Sequence, residues 1–269
     1  MRVIEHAQDL IGGGGFVPTM GALHEGHATL LRRSVEENSH TTLSIFVNPT
    51  QFGPKEDFSK YPRTLEADLA VAELAGVDYV YVPKLEEIYI PGHSTFIEVQ
   101  GVSEPWCGKF RPGHFRGVAT VVQRLFQLVQ PEKAYFGQKD LQQCLVIGRM
   151  ARDLGLPVKM VAVPTVRESD GLALSSRNRY LSAEERQKAT VIFRALEAAR
   201  LAYEAGERNA HSLQEKVQAV LATTPEFQPQ YAEVRSLPNL DAVEQIKVPA
   251  AIAIAGYLGT TRLIDNHIF

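Results

Sequence analysis

The 269-residue chain reads as an α/β protein: a parallel sheet with helical crossovers, followed by a smaller α+β domain. Three observations predict this. Short β-branched or apolar runs alternate with helical patterns over the first 165 residues, the order that builds parallel sheets. A polar stretch of little regular period, residues 167–182, then breaks the rhythm. Beyond it come two helical patterns and three strand-like runs. The boundary is placed near residue 165, giving domains over 1–165 and 166–269.

Taken in order, "GFVPT" (Gly15–Thr19) reads as a short buried strand. Residues 27–38 read as a helix with Leu30, Leu31 and Val35 on one face. The β-branched run 41–47 is a core strand, 64–76 a helix stopped by Gly76, and 77–82 the next strand. Residues 113–131 form a helix whose Val118, Val121, Val122, Leu125 and Val129 share a face, ended by Pro131. A strand at 133–137, a helix at 138–155 and a strand at 158–166 complete the larger domain. The alternating "TFIEVQ" (95–100) is expected as an edge hairpin or small sheet. In the smaller domain, Ser182 and Glu185 fit a capping box for a helix over 183–205. A second helix covers 210–223, and strands follow at 231–236, 250–259 and 261–266.

Composition narrows the functions. The formal net charge of −3 gives no global basic field to attract nucleic acid or an anionic membrane. Cys107 and Cys144 lie far apart and outside any CxxC unit, so free thiols in a reducing cytosol are expected. The chain opens on no basic-then-apolar leader, and no run of about 18 apolar residues is present. The expectation is a soluble cytoplasmic protein.

"FVPTMGALHEGH" crosses from a strand to a helix through a Pro-Thr-Met-Gly corner. Ligands of open parallel sheets bind outside the carboxyl ends of strands. Gly21 and Gly26 let backbone approach a ligand, and a helix starting near Gly26 offers unpaired N–H groups and a positive dipole end. His24 and His27, one turn apart, project towards the same place. The combination points to a nucleotide phosphate, with structural capping by the histidines as the competing reading. Zinc fits poorly: the zinc-peptidase motif H-E-x-x-H separates its histidines by four positions, these are three apart, and no third ligand is evident.

The loop "FVNPTQFGPKEDFSKYPR" brings Asn48 and Gln51, neutral amides able to fix hydroxyls or a carboxylate, or simply turn residues. Asp57, Glu66 and Asp68 could meet a magnesium-nucleotide or be solvated. "RPGHFRG" (111–117) is an anion clamp or a helix entry with exposed charges. "YFGQKDLQQ" again ends a strand in glycine and begins a helix, with Lys139, Asp140 and Gln143; a lysine there suits a phosphate. "LALSSRN" offers two hydroxyls and Arg177. No general-base triad is evident. A carboxylic acid is already ionised at neutral pH and needs no base to attack phosphorus, only an aligned α-phosphate and a neutralised leaving group. Such a site fits activation of an acid by ATP, and equally transfer of a nucleotide to another phosphate.

The ordered set "FVPTMGALHEGH", "FVNPTQFG", "YPR", "RPGHFRGV", "YFGQKD", "SSRN" and the terminal "TRLIDN" resembles the pantothenate synthetase (pantoate–β-alanine ligase) family, within the larger HxGH nucleotidyltransferase superfamily. The resemblance implies a Rossmann-like nucleotide-binding catalytic domain with a smaller C-terminal α+β lid. It implies a cytoplasmic homodimer acting in pantothenate and coenzyme A biosynthesis. ATP and pantoate would give a pantoyl adenylate and pyrophosphate; β-alanine would then give pantothenate and AMP. Carried onto this chain, Met20, Gly21, Ala22, Leu23, His24, Glu25, Gly26 and His27 line the ATP site, His27 being the proton donor. Gly137, Gln138, Lys139 and Asp140 hold ATP, Val166 meets adenine, and Leu174, Ser175, Ser176 and Arg177 close over the triphosphate. His24, His27 and Lys139 are the expected catalytic residues. Gln51 touches pantoate and β-alanine, Gln143 binds pantoate, and Asn48 joins the substrate set. Magnesium accompanies ATP with Asp68 as its protein contact, and no tightly bound prosthetic group is implied. Two departures stand out. The segment before "GFVPT" is short and ends in four glycines, so that strand is expected to start late or be mobile. An acidic pair usual in the family is Ala67–Asp68 here.

Overall fold

The computed structural model describes residues 1–54, 56 and 58–269, so Asp57 lies outside the described residues. The chain divides into two compact units.

The first unit comprises Met1–Gln100, Arg111–Gln138 and Gln142–Pro164. Its short apolar runs become six parallel strands: β1 (Arg2–Ile4), β2 (Gly15–Thr19), β3 (Thr41–Ile45), β4 (Tyr79–Tyr81), β5 (Lys133–Gly137) and β6 (Lys159–Val163). They lie in the order β1-β4-β3-β2-β5-β6. The central strands are covered on both faces, with Phe16, Val17, Leu43, Val80 and Tyr135 fully buried, which is why they read as apolar runs without alternation. Helices α1 (Glu25–Glu37), α2 (Leu65–Leu74), α3 (His114–Val129) and α4 (Leu141–Asp153) make the crossovers. The expected core face of α3 is buried as drawn, and the helix closes on Gln130 in the left-handed region, just before Pro131.

Three features differ from the sequence reading. The edge strand β1, only three residues long, is too short to show a period. Residues 95–100 form no strand. The Ile97 N–H donates to Thr120 Oγ1 of α3 at 2.9 Å, and the Arg116 guanidinium lies 4.1 Å over the Phe96 ring, so the segment leans on a helix instead of pairing with a strand. The glycine run does not delay β2, which begins at Gly15. Gly14 has φ +63°, and a Cβ there would stand 2.5 Å from the His40 carbonyl oxygen. The Gly14 carbonyl accepts the Glu132 and Lys133 N–H groups, and the Gly15 N–H donates to the His40 carbonyl. The glycines thread the chain tightly between the starts of β3 and β5.

The second unit comprises Thr165–Phe269 with two earlier pieces, Gly101–Phe110 and Lys139–Leu141. A single cut near residue 165 does not contain those pieces. Helices α5 (Ala183–Lys188), α6 (Val191–Glu204) and α7 (Ala210–Leu221) precede an antiparallel sheet of β7 (Phe227–Ser236), β8 (Ala250–Leu258) and β9 (Thr261–Ile268). Ile192, Leu196, Leu213, Val217, Ile252 and Ile254 form its core. The predicted capping box is present: Glu185 N–H donates to Ser182 Oγ and Ser182 N–H to Glu185 Oε2. The helix expected over 183–205 is broken at Ala189–Thr190, where the Thr190 hydroxyl turns back to the Gln187 carbonyl at 2.7 Å. Among the described residues no helix is long and apolar enough to cross a membrane.

Candidate active site

From β2 the chain steps through β3 to β4 on one side; later it returns to β2's other flank and continues through β5 to β6. The strand order therefore reverses between β2 and β5. Open α/β sheets bind ligands at such a switch point, beyond the carboxyl ends of the strands. Here those ends are Thr19, leading into Met20–His27, and Gly137, leading into Gln138.

The β2–α1 turn is built from the inside. Thr19 Oγ1 donates to the Ser44 carbonyl and accepts the Gly21 N–H. Gly21 then takes φ +79°, and a Cβ there would meet Asp68 Oδ2 at 2.9 Å. Asp68 is buried; its Oδ2 accepts the Ala22 N–H at 2.9 Å, and its Oδ1 accepts the Leu23 N–H at 2.8 Å and the Thr64 hydroxyl at 3.2 Å. Ala22 and Leu23 are thus buried supports of the turn. Asp68 braces that turn with both carboxylate oxygens. Among the described residues no group of three or more His, Cys, Asp or Glu side chains is arranged to hold a metal ion.

The turn delivers His24 as the N-cap of α1. His24 Nδ1 accepts the Gly26 N–H at 3.1 Å, and His27 Nδ1 accepts the His24 N–H at 3.3 Å. An accepting Nδ1 carries no proton, so in each neutral ring Nε2 is the protonated nitrogen. The two rings lie 4.1 Å apart between centroids. The capping reading of the histidines holds: each ring accepts a backbone N–H of the first turn through Nδ1. Glu25 points outward and pairs with Arg32.

The β3 exit loop adds a second layer. Asn48, 1% exposed, donates from Nδ2 to Gln51 Oε1 and the Gly117 carbonyl. Its Oδ1 accepts from the Thr50 N–H, the Thr50 hydroxyl and the Tyr89 hydroxyl. Burial pushes the Tyr89 phenol up, against the pull of Thr50 and Asn48, so it stays a donor. With its amide satisfied inside the protein, Asn48 orients Gln51 and does not itself reach for substrate. Gln51 Nε2 approaches Met20 Sδ at 3.0 Å, which joins this loop to the β2 turn.

"RPGHFRG" is the helix entry of the two expected readings: α3 starts at His114 behind Gly113, and Arg116 is exposed, while Arg111 is turned inward. Arg111 grips Glu56 with two hydrogen bonds of 2.7 and 2.6 Å. His114 Nδ1 meets the Gln51 carbonyl at 2.9 Å; a carbonyl only accepts, so Nδ1 carries the proton and Nε2 accepts from Arg111. The segment locks the Gln51 turn in place. Gln143 lies half-buried in the first turn of α4.

In the second unit, Lys139 and Asp140 belong to a 3₁₀ turn, and the Lys139 carbonyl accepts from Asn266 Nδ2. Val166 and Leu174 are paired, Leu174 N–H donating to the Val166 carbonyl at 3.0 Å. Ser175 Oγ caps the turn Ser176–Tyr180 by accepting the Arg177 N–H. Sequence reasoning gave no role to Glu56, Thr64, Tyr89, Asp265 or Asn266 individually, because their partners are distant in the chain.

An open parallel sheet with a glycine turn, a helix N-terminus and two imidazoles at its switch point defines a Rossmann-like protein built to receive a phosphate group. The family model described as pantoate-beta-alanine ligase matches residues 2–268. The chain belongs to the pantoate–β-alanine ligase family. It is 54% identical over 255 residues to the pantothenate synthetase of Carboxydothermus hydrogenoformans, covering 94% of this chain and 90% of that one. It is 52% identical over 257 residues to that of Roseiflexus castenholzii, covering 96% and 92%. The crystal structure of the Thermus thermophilus enzyme superposes with a TM-score of 0.96 at 48% identity, covering 99% of both chains. That of the Francisella tularensis pantoate-β-alanine ligase, complexed with beta-gamma ATP and β-alanine, does so with a TM-score of 0.81 at 33% identity, covering 100% of this chain and 97% of that one.

Proposed function

We propose that the protein condenses pantoate with β-alanine to pantothenate through a pantoyl adenylate. The pantoate carboxylate attacks the α-phosphorus of ATP and pyrophosphate leaves; the β-alanine amine then attacks the acyl carbon and AMP leaves. The observation that carries this reading is the capped N-terminus of α1 at the switch point, with two Nε2–H groups and a helix dipole suited to phosphate charge. No nucleophilic side chain is needed, since the acid is its own nucleophile.

In this assignment Met20, Gly21, Gly26, Gly137 and Gln138 bring backbone close to ATP, and His24 and His27 donate to its phosphates. The ATP set continues with Lys139 at the phosphates, Asp140, Val166 at adenine, and Leu174, Ser175, Ser176 and Arg177 at the triphosphate. Gln51 contacts pantoate and β-alanine, and Gln143 pantoate. Magnesium enters with ATP as part of the substrate complex. The working form is a cytoplasmic homodimer.

The test is stoichiometric. Pyrophosphate should form from ATP only when pantoate is present, and AMP should match pantothenate produced. Pyrophosphate release indifferent to pantoate overturns the reading, and a covalent AMP-containing product would indicate nucleotidylyl transfer instead. Lys139→Ala should lower adenylate formation by about 10²–10³-fold, the effect of losing one preorganised charge-stabilising group.

A further inference from the structure

The chemistry above uses neither Asp265 nor Asn266, although both are buried near the end of β9. Asn266 is tied to the turn assigned to the triphosphate, and Asp265 to the hairpin that leads into the other assigned segment. Asn266 Nδ2 donates to the Lys139 carbonyl at 2.9 Å, across 127 positions of sequence. Asp265, 3% exposed, accepts two hydrogen bonds from Arg167, of 2.5 and 3.0 Å. Its Oδ1 also accepts the Asn266 N–H at 2.8 Å, so the two side chains are set by one local geometry.

Arg167 passes the constraint on. It donates to the Gly171 carbonyl at 3.0 Å and forms a β-bridge with Ala173. Its guanidinium lies 4.9 Å over the Phe193 ring. Glu168 N–H donates to the Leu172 carbonyl and Leu174 N–H to the Val166 carbonyl. Residues 166–174 are therefore a closed hairpin hung on Asp265, and it runs directly into Ser175–Arg177. A buried ion pair adds little net stability over an apolar pair of the same shape. What it does supply is a fixed direction.

We infer that Asp265 and Asn266 are positioning residues that hold the Lys139 turn and the Ser175–Arg177 segment in one fixed relation. The inference rests on the assignment of Lys139 and Arg177 to the triphosphate made above. Two cations stabilise a departing pyrophosphate only if both meet it at once, and a misplacement of about 1 Å can cost on the order of 10²-fold in rate.

The test is a double-mutant cycle on pantoate-dependent pyrophosphate release. Wild type, Asn266→Asp, Lys139→Ala and the double variant are compared, with thermal unfolding followed in parallel. Asn266→Asp keeps the side-chain size and removes the donor to the Lys139 carbonyl. It should lower kcat on the order of 10²-fold, with a smaller change in KM for ATP. In the Lys139→Ala background the same substitution should add little further loss, while lowering the unfolding temperature as much as before. An equal loss of rate in both backgrounds, or no loss in either, overturns the inference while the function stands. If Lys139→Ala alone leaves pyrophosphate release at the wild-type rate, the triphosphate assignment fails first and the inference with it. Should Asn266→Asp not fold, Asn266→Ser takes its place in the same cycle with the same two outcomes.

Discussion

The Asp68 carboxylate accepts the backbone N–H of Leu23 at 2.8 Å, across 45 positions of sequence, and that of Ala22 with its other oxygen. This pairing shapes the turn that delivers His24 to the head of α1. Asp68→Asn offers one oxygen and one NH₂ to two N–H donors, so one donor is left facing another. The folded state should lose about 2 kcal/mol, the scale of a charge-assisted hydrogen bond, read as a lower urea midpoint. Adenylate formation should fall with it. If Asp68 served only as a magnesium contact, the midpoint would stay put and the magnesium requirement alone would rise.

Gly117 faces the Gln51 turn at close range. A Cβ there would lie 2.4 Å from the Thr50 carbonyl oxygen and 2.7 Å from Gln51 Cα, both backbone atoms that cannot swing aside. Gly117→Ala gains helix propensity of about 1 kcal/mol, yet it must push the turn outward. The expected result is a raised KM for pantoate and β-alanine with a smaller change for ATP, since Gln51 is assigned to the two acids. Steady-state kinetics with each substrate varied in turn decides it.

The Glu56–Arg111 pair makes a pH prediction. Burial pushes the Glu56 carboxyl up, but the hydrogen bonds and charge of Arg111 outweigh it and leave the carboxyl below its ordinary 4.5. A group whose folded pKa is depressed stabilises the fold above its unfolded pKa and loses that contribution as pH falls through the folded value. The gap in stability between wild type and Glu56→Gln should therefore be full near neutral pH and shrink below pH 4.5. Denaturant midpoints of both proteins across that range provide the measurement. A gap that widens with acid would show that Arg111 does not hold the ionised form.

Much of this architecture is legible in the sequence. The strand "KAYFG" and the apolar face of α3 follow from local period, and the Ser182–Glu185 cap from spacing alone. The glycine turn and paired histidines are readable because their chemistry is local: strand end, turn and helix start are consecutive. What stays hidden depends on partners far along the chain. Asn48 looks like a substrate amide until Gly117 and Tyr89 are seen to use it up. Arg111 looks like an anion clamp until Glu56 is found against it. Four consecutive glycines look like slack until the His40 carbonyl is found 2.5 Å from where a Cβ on Gly14 would stand.

The two jobs of His27 can be pulled apart. Its Nδ1 accepts the His24 N–H, and its Nε2 carries the proton assigned to the phosphates. Asparagine places a carbonyl oxygen near the position of Nδ1 and nothing at Nε2. His27→Asn should keep the reciprocal cap, so its stability should stay within about 0.5 kcal/mol of wild type, whereas His27→Ala should lose about 1 kcal/mol. Both variants lack the distal donor, so both should slow pantoate-dependent pyrophosphate release by about 10²–10³-fold. Urea unfolding and single-turnover kinetics on the same preparations give the two readouts. If His27→Asn turns over at the wild-type rate, the imidazole is a helix cap alone, and the phosphate charge must be met by other donors.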